Sequence, residues 1–178
     1  MAERDLDPQR IADAVEAQRI PDAVEAQHIA DAVGEGMYAN DRASRALGMA
    51  VTAIAPGSAT LTMTVRDDML NGFDICHGGF ITLLADSAFA FACNSRNALT
   101  VAAGLDVEFI ASAHGGDVLT AHASEVHLAG RNGLYDIAVT NQRGERVAMV
   151  RGRSHALRGR EAVALDDACF APEPLPTR

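Results

Sequence analysis

The chain has 178 residues, a formal net charge of −9 and apolar residues at 48% of its positions. One domain of this size can bury a proper core, and scattered rather than clustered basic residues exclude a nucleic-acid footprint. Lysine is absent, which excludes a lysine nucleophile or Schiff base.

Met1 to Arg10 is highly charged, with no apolar stretch behind it, so no secretory leader is expected and the protein reads as cytoplasmic. A repeat of nine residues follows: QRIADAVEA at 9–17, QRIPDAVEA at 18–26 and QHIADAVGE at 27–35. Each unit carries a short helical face of Ile, Ala and Val. Nine residues advance a helix by about 2.5 turns, so successive faces point to opposite sides and build no continuous stripe. Pro21 interrupts the run further. Residues 1–35 therefore read as a duplicated helical extension, loosely attached, ahead of a domain at 36–157 and a polar, Pro-rich tail at 158–178.

A short helix is expected from Glu35 to Leu47, ending at Gly48. The period then changes to two. Ala59, Leu61, Met63 and Val65 alternate with Ser58, Thr60, Thr62 and Thr64, the pattern of a half-buried strand. Met49–Ala55 is its hairpin partner across Pro56-Gly57. After a polar loop, Gly78–Asn94 reads GGFITLLADSAFAFACN, apolar almost all round, as a buried helix does. It is too short to span a bilayer. Four strands are expected near Thr100–Ala111, Asp117–Leu128, Leu134–Asn141 and Arg146–His155, separated by Gly-rich turns. This order predicts an α+β hot-dog fold, an antiparallel sheet of about six strands wrapped around one long apolar helix.

Cys76, Cys93 and Cys169 form no C-x-x-C pair, and an odd count suits free thiols in a reducing compartment. The six histidines are dispersed and no metal site is expected.

Asp86 is the lone charge in the apolar helix. A buried carboxylate is paired, protonated or functional, so Asp86 is either a structural acid bonded to a neighbouring chain or a nucleophile or general base. Gly78 and Gly79 open the same helix. Their unpaired first amides can hold an oxygen that becomes negative; alternatively they form a plain Gly-rich turn. Eight residues separate Gly78 from Asp86, about 12 Å along the axis. They cannot meet on one carbonyl carbon within one chain, so joint action requires two subunits, at least a homodimer. Asn71 and His77 flank the helix start: Asn71 is a candidate for fixing a carboxylate or a water, and His77 for capping the helix, contacting a substrate oxygen, or standing as a plain loop histidine. Arg151 and Arg153 share one strand face beside Ser154, either as a solvated face or as a grip on phosphates.

The stretch MLNGFDICHGGFITLLADSAFAFACNS at 69–95 resembles the phenylacetate-degradation (PaaI-type) hot-dog acyl-CoA thioesterases. MYAND at 37–41, ALGM at 46–49, LTMTV at 61–65, YDIAVTNQ at 135–142 and VRGRSH at 150–155 extend the resemblance over roughly Met37 to Leu157. It implies hydrolysis of aryl-acetyl-CoA, particularly ring-hydroxylated phenylacetyl-CoA, without a cofactor beyond the CoA of the substrate. It implies Asp86 as nucleophile or base, the Gly78 amide as oxyanion donor from the other subunit, and Asn71 and His77 beside it. A binding role for Asn40, within MYAND, and a homotetramer built as a dimer of dimers are also implied. No membrane or nucleic-acid partner is expected.

Some related thioesterases carry a Ser or Thr on the strand after the helix; here Ala102, Ala103 and Gly104 stand there, so no hydroxyl partner is assigned. Two alternatives compete. A hot-dog hydratase or dehydratase pairs an Asp with a His further along the helix, and Ser87 to Phe91 offers none. A non-catalytic acyl-CoA sensor needs an effector module, and the acidic repeat is the sole spare sequence.

Overall fold

The computed structural model describes residues 23–165. Helix α1 (Ala23–Asn40) is followed by the short α2 (Arg42–Ala46), the hairpin β1 (Ala50–Ala55) and β2 (Ser58–Thr64), and a single 3-10 turn (Asp67–Met69). Helix α3 (Gly78–Asn94) precedes β3 (Ala98–Phe109), β4 (Val118–Ala129), β5 (Asn132–Thr140) and β6 (Arg146–Glu161). The strands form one antiparallel sheet in the order β1-β2-β4-β5-β6-β3. β2 lies near one edge and β3 at the other, so the chain must cross the sheet between them. α3 makes that crossing and packs against five of the six inner strand faces and more weakly on β1. This is the expected hot-dog arrangement, and the predicted span of its central helix coincides with the observed one.

Alternation dictates which residues meet the helix. Ala59, Leu61, Met63 and Val65 are all buried, as their period-two spacing predicts. Across the sheet, Leu61 is in register with Ala121, Ala121 with Val139, Val139 with Ala148 and Ala148 with Phe109. Gly152 of β6 leaves the sheet's inner face open to receive Phe89 of α3: a Cβ there would stand 3.0 Å from its ring. Phe89 lies 5.2 Å from Tyr135, ring centre to ring centre. The Tyr135 hydroxyl donates to Glu125, which also holds Arg96, so the one polar group of that ring is satisfied.

Three boundaries differ from the sequence reading. The helix expected from Glu35 to Leu47 breaks at Asp41, whose carboxylate caps α2 by accepting the Ser44 amide at 3.0 Å. Ser44 is fully buried, and its hydroxyl bonds to Asp41 and to Ser87 of α3. The third repeat unit is also tied to the sheet rather than loosely attached. It runs within α1, buries Ala30 and Val33 against β1, and donates from Gln27 to the Ile54 carbonyl at 2.8 Å. Gly34 permits this approach: a Cβ there would stand 3.2 Å from Cδ1 of Ile54. At the other end, β6 continues past the expected boundary at 157, pairing Glu161 with Ala98, and Val163 exchanges two hydrogen bonds with the Asn97 side chain. Backbone pairing, which composition does not reveal, keeps this polar segment in the sheet. The first repeat unit, most of the second and residues 166–178, with Cys169, lie outside the described residues.

Candidate active site

α3 begins where the loop from Leu70 to Cys76 closes on itself. Leu70 and Cys76 form an isolated bridge, and the Asn71 amide donates to the Ile75 carbonyl at 2.9 Å. The Asn71 side chain shapes the same loop: its Oδ1 accepts the Phe73 amide at 2.9 Å, leaving Nδ2 as a donor. His77 is the N-cap of α3 and accepts the Gly79 amide on Nδ1 at 3.0 Å. That bond assigns the ring proton to Nε2 in the neutral tautomer, so the outward edge of His77 is a donor. The Gly78 amide, one residue earlier, has no partner among the described residues. It is an orphan helix amide at the positive end of a 17-residue helix. Gly79 is expected from the sequence as a substrate-binding residue beside Gly78; in the structure its amide is occupied by His77.

Gly78 also needs to be glycine. A Cβ there would stand 2.7 Å from Cζ of Phe109 on β3. The Phe109 ring thus lies directly on the Gly78 α-carbon. Both residues line a cleft of about 450 Å³ with Asn71, Cys76, Ile81 and Ile110. His77 and Gly79 face a second depression, of about 360 Å³, with Phe80 and Leu83. A larger groove of about 510 Å³ between α1 and β1 holds none of the candidate residues.

Asp86 lines none of these three. It lies farther along α3, half-buried, and has no hydrogen-bond or ion-pair partner among the described residues. Burial pushes its carboxyl above the ordinary carboxylate range. The face of α3 carrying it is the one this chain's sheet leaves half-covered: Phe80, Leu83, Asp86, Ser87 and Ala90 are all partly accessible. Eight helical residues keep Asp86 about 12 Å from the Gly78 amide along the axis.

The remaining candidates stand elsewhere. Asn40 donates to the Gly36 carbonyl within its own helix end. Arg151 grips both oxygens of Asp136 at 2.8 and 3.0 Å, and Arg153 pairs with Asp106. Both arginines lie on the sheet face turned away from α3, each neutralised by a carboxylate that a phosphate would have to displace. Ser154 points the other way and is buried. The cysteines the structure describes are free and buried; burial raises the Cys76 thiol and pushes Cys93 up to about 12. Two contributors escape the sequence reading. In the sequence, Phe109 looks like one more inward strand residue, and Ser44 like a helix-surface serine.

A family model described as Thioesterase superfamily matches residues 73–148. The acyl-coenzyme A thioesterase PaaI of Escherichia coli (strain K12) is 44% identical over 123 residues, which cover 69% of this chain and 88% of that protein. The solved structure of the E. coli PaaI protein from the phenylacetic acid degradation operon matches with a TM-score of 0.75 and 41% identity, covering 76% of this chain and 98% of that one. A variant of phenylacetic acid degradation protein PaaI from Thermus thermophilus matches with a TM-score of 0.63 and 37% identity, covering 66% and 100%.

Proposed function

Because the chain belongs to the thioesterase superfamily and is a PaaI-like acyl-CoA thioesterase, we propose that its substrates are aryl-acetyl-CoA thioesters, ring-hydroxylated phenylacetyl-CoA foremost, hydrolysed at a site shared by two subunits. The substrate class rests on the phenylacetic acid degradation operon to which the E. coli relative belongs. The shared site rests on one observation: a carboxylate and a helix amide, each without a partner among the described residues and about 12 Å apart on α3, are too far apart to serve one carbonyl.

In this reading the thioester oxygen of the substrate accepts the Gly78 amide of one subunit. The Asp86 carboxylate of the other stands over the carbonyl carbon. As a nucleophile, an Asp86 oxygen attacks that carbon, the C–S bond breaks and CoA leaves as the thiolate. Water then cleaves the resulting anhydride, returning the carboxylate and releasing the acid. As a general base, Asp86 takes a proton from the attacking water, and the tetrahedral intermediate expels CoA, which receives that proton. In either case the negative charge grows on the oxygen facing Gly78, where a preorganised amide at a helix N-terminus stabilises it. The Nε2–H of His77 and the Nδ2–H of Asn71 are the further donors available at this end of α3. A carboxyl raised by partial burial is a stronger base than an exposed one. No cofactor is required beyond the CoA of the substrate.

The half-covered face of α3, with Phe80 and Leu83 beside Asp86, supports a homodimer as the minimum assembly. A dimer of such dimers is the expected tetramer. The deciding experiment measures thiol release over a panel of aryl-acetyl, benzoyl and aliphatic CoA esters. Highest kcat/KM on hydroxyphenylacetyl-CoA supports the assignment; best turnover of a long-chain aliphatic ester sinks it.

A further inference from the structure

We infer that Phe109 is a specificity-determining residue, its ring forming the surface on which the aryl group of the substrate packs. The inference rests on the aryl-acetyl reading above and deepens it.

Three observations carry it. First, the ring covers Gly78: its Cζ stands 2.7 Å from where a Cβ would be. The residue whose amide has no partner among the described residues is therefore in direct contact with the aromatic ring. Second, Phe109 ends an inward row, Leu61–Ala121–Val139–Ala148–Phe109, whose first four members are buried while Phe109 is 56% exposed. A large apolar side chain left open at the end of a covered row marks a surface that something else covers. Third, it lines the cleft of about 450 Å³ together with Ile81 and Ile110. A dry apolar cavity of roughly 150 Å³ holds one benzene ring, so the cleft has room for an aryl group and its carbonyl.

Geometry selects the acyl group. A carbonyl oxygen accepting from the Gly78 amide lies about 2.9 Å from that nitrogen. One methylene beyond the carbonyl carbon, an aryl ring can reach the Phe109 ring at the separation of about 4.5–7 Å at which aromatic pairs attract. An aliphatic chain in the same place gains burial alone. Phe109 thus favours aryl-acetyl over aliphatic acyl groups by the electrostatic part of the ring contact.

The test compares wild type, Phe109→Leu and Phe109→Tyr on phenylacetyl-CoA and hexanoyl-CoA, with oligomeric state followed by light scattering. The ratio of kcat/KM, aryl over aliphatic, is expected to fall about 3- to 10-fold in Phe109→Leu. In Phe109→Tyr, which keeps the ring, it stays within about 2-fold of wild type. An unchanged ratio in Phe109→Leu overturns the inference, whether both activities persist or both fall together with a change in assembly. Wild-type protein that turns over hexanoyl-CoA and not phenylacetyl-CoA overturns the aryl reading itself, and the inference with it.

Discussion

Nδ1 of His77 accepts the Gly79 amide at 3.0 Å, while the Gly78 amide beside it has no partner among the described residues. The histidine therefore occupies one of the two first amides of α3 and leaves the other without a partner among the described residues. Its capping role and its proposed donor role sit on different nitrogens, so they separate by mutation. His77→Ala is expected to cost about 1 kcal/mol of stability through the lost cap and to lower kcat. His77→Asn restores an N-cap acceptor but not the Nε2–H, so it recovers the melting temperature and not the rate. Recovery of both would reduce His77 to a structural cap.

In the proposed mechanism Asp86 sets the pH dependence. Burial raises its carboxyl, so the folded state holds a proton that the unfolded chain has already released over the interval between the two values. Stability therefore falls as pH rises through that interval, and at neutral pH the ionised group weighs against the fold. Asp86→Asn is expected to raise the melting temperature at pH 7 while reducing kcat by about 10²- to 10⁴-fold. The acid limb of wild-type kcat/KM should lie above the ordinary carboxylate range, because the proposed chemistry uses the ionised form. A calorimetric scan and a pH–rate profile check the two halves independently.

The proposed shared site makes an arithmetic prediction. Asp86→Ala dimers lack the carboxylate at both sites. A variant such as Gly78→Val, whose side chain meets Phe109, disables the amide end at both. Randomly mixed subunits give half heterodimers, each with one site carrying both lesions and one carrying neither. Activity should rise on mixing from near zero to about a quarter of wild type per subunit. Mixing without recovery, after subunit exchange is verified by mass spectrometry, would falsify the two-chain site.

Truncation separates the repeat units. Removing residues 1–22 should leave both melting temperature and kcat near wild type. Removing residues 1–35 also deletes buried Ala30 and Val33 and the Gln27 bond to Ile54. That loss is expected to cost on the order of 2–3 kcal/mol, read as a drop of several degrees. Equal melting temperatures for the two truncations would show that the third unit adds nothing to the domain.

The sheet and its central helix were legible because their signals are periodic and local. The alternation at 58–65 and the unbroken apolarity at 78–94 leave little freedom in what the chain does there. The Gly78–Asp86 separation was also legible, since helical rise is a constant. What sequence concealed were contacts between distant segments. Ser44 reaches Ser87 across 43 positions, and the Phe109 ring meets Gly78 across 31 positions of the numbering. Strand register, which pattern alone does not fix, sets Arg151 opposite Asp136 and leaves Arg153 to reach Asp106 on the diagonal. The same register gives a carboxylate partner to each of the two arginines, which the sequence leaves as a solvated face or a phosphate grip.

The contact between Gly34 and Ile54 gives the nine-residue repeat a fixed frame. The units at 9–17 and 18–26 carry Glu16 and Glu25 where the third carries Gly34. Sliding the chain by one unit would bring Glu25 against the methyl groups of Ile54, where even a Cβ is crowded. Near-identical copies in tandem invite slippage, and the absent side chain at Gly34, with Pro21 standing where the third unit has buried Ala30, sets the third unit apart from the others.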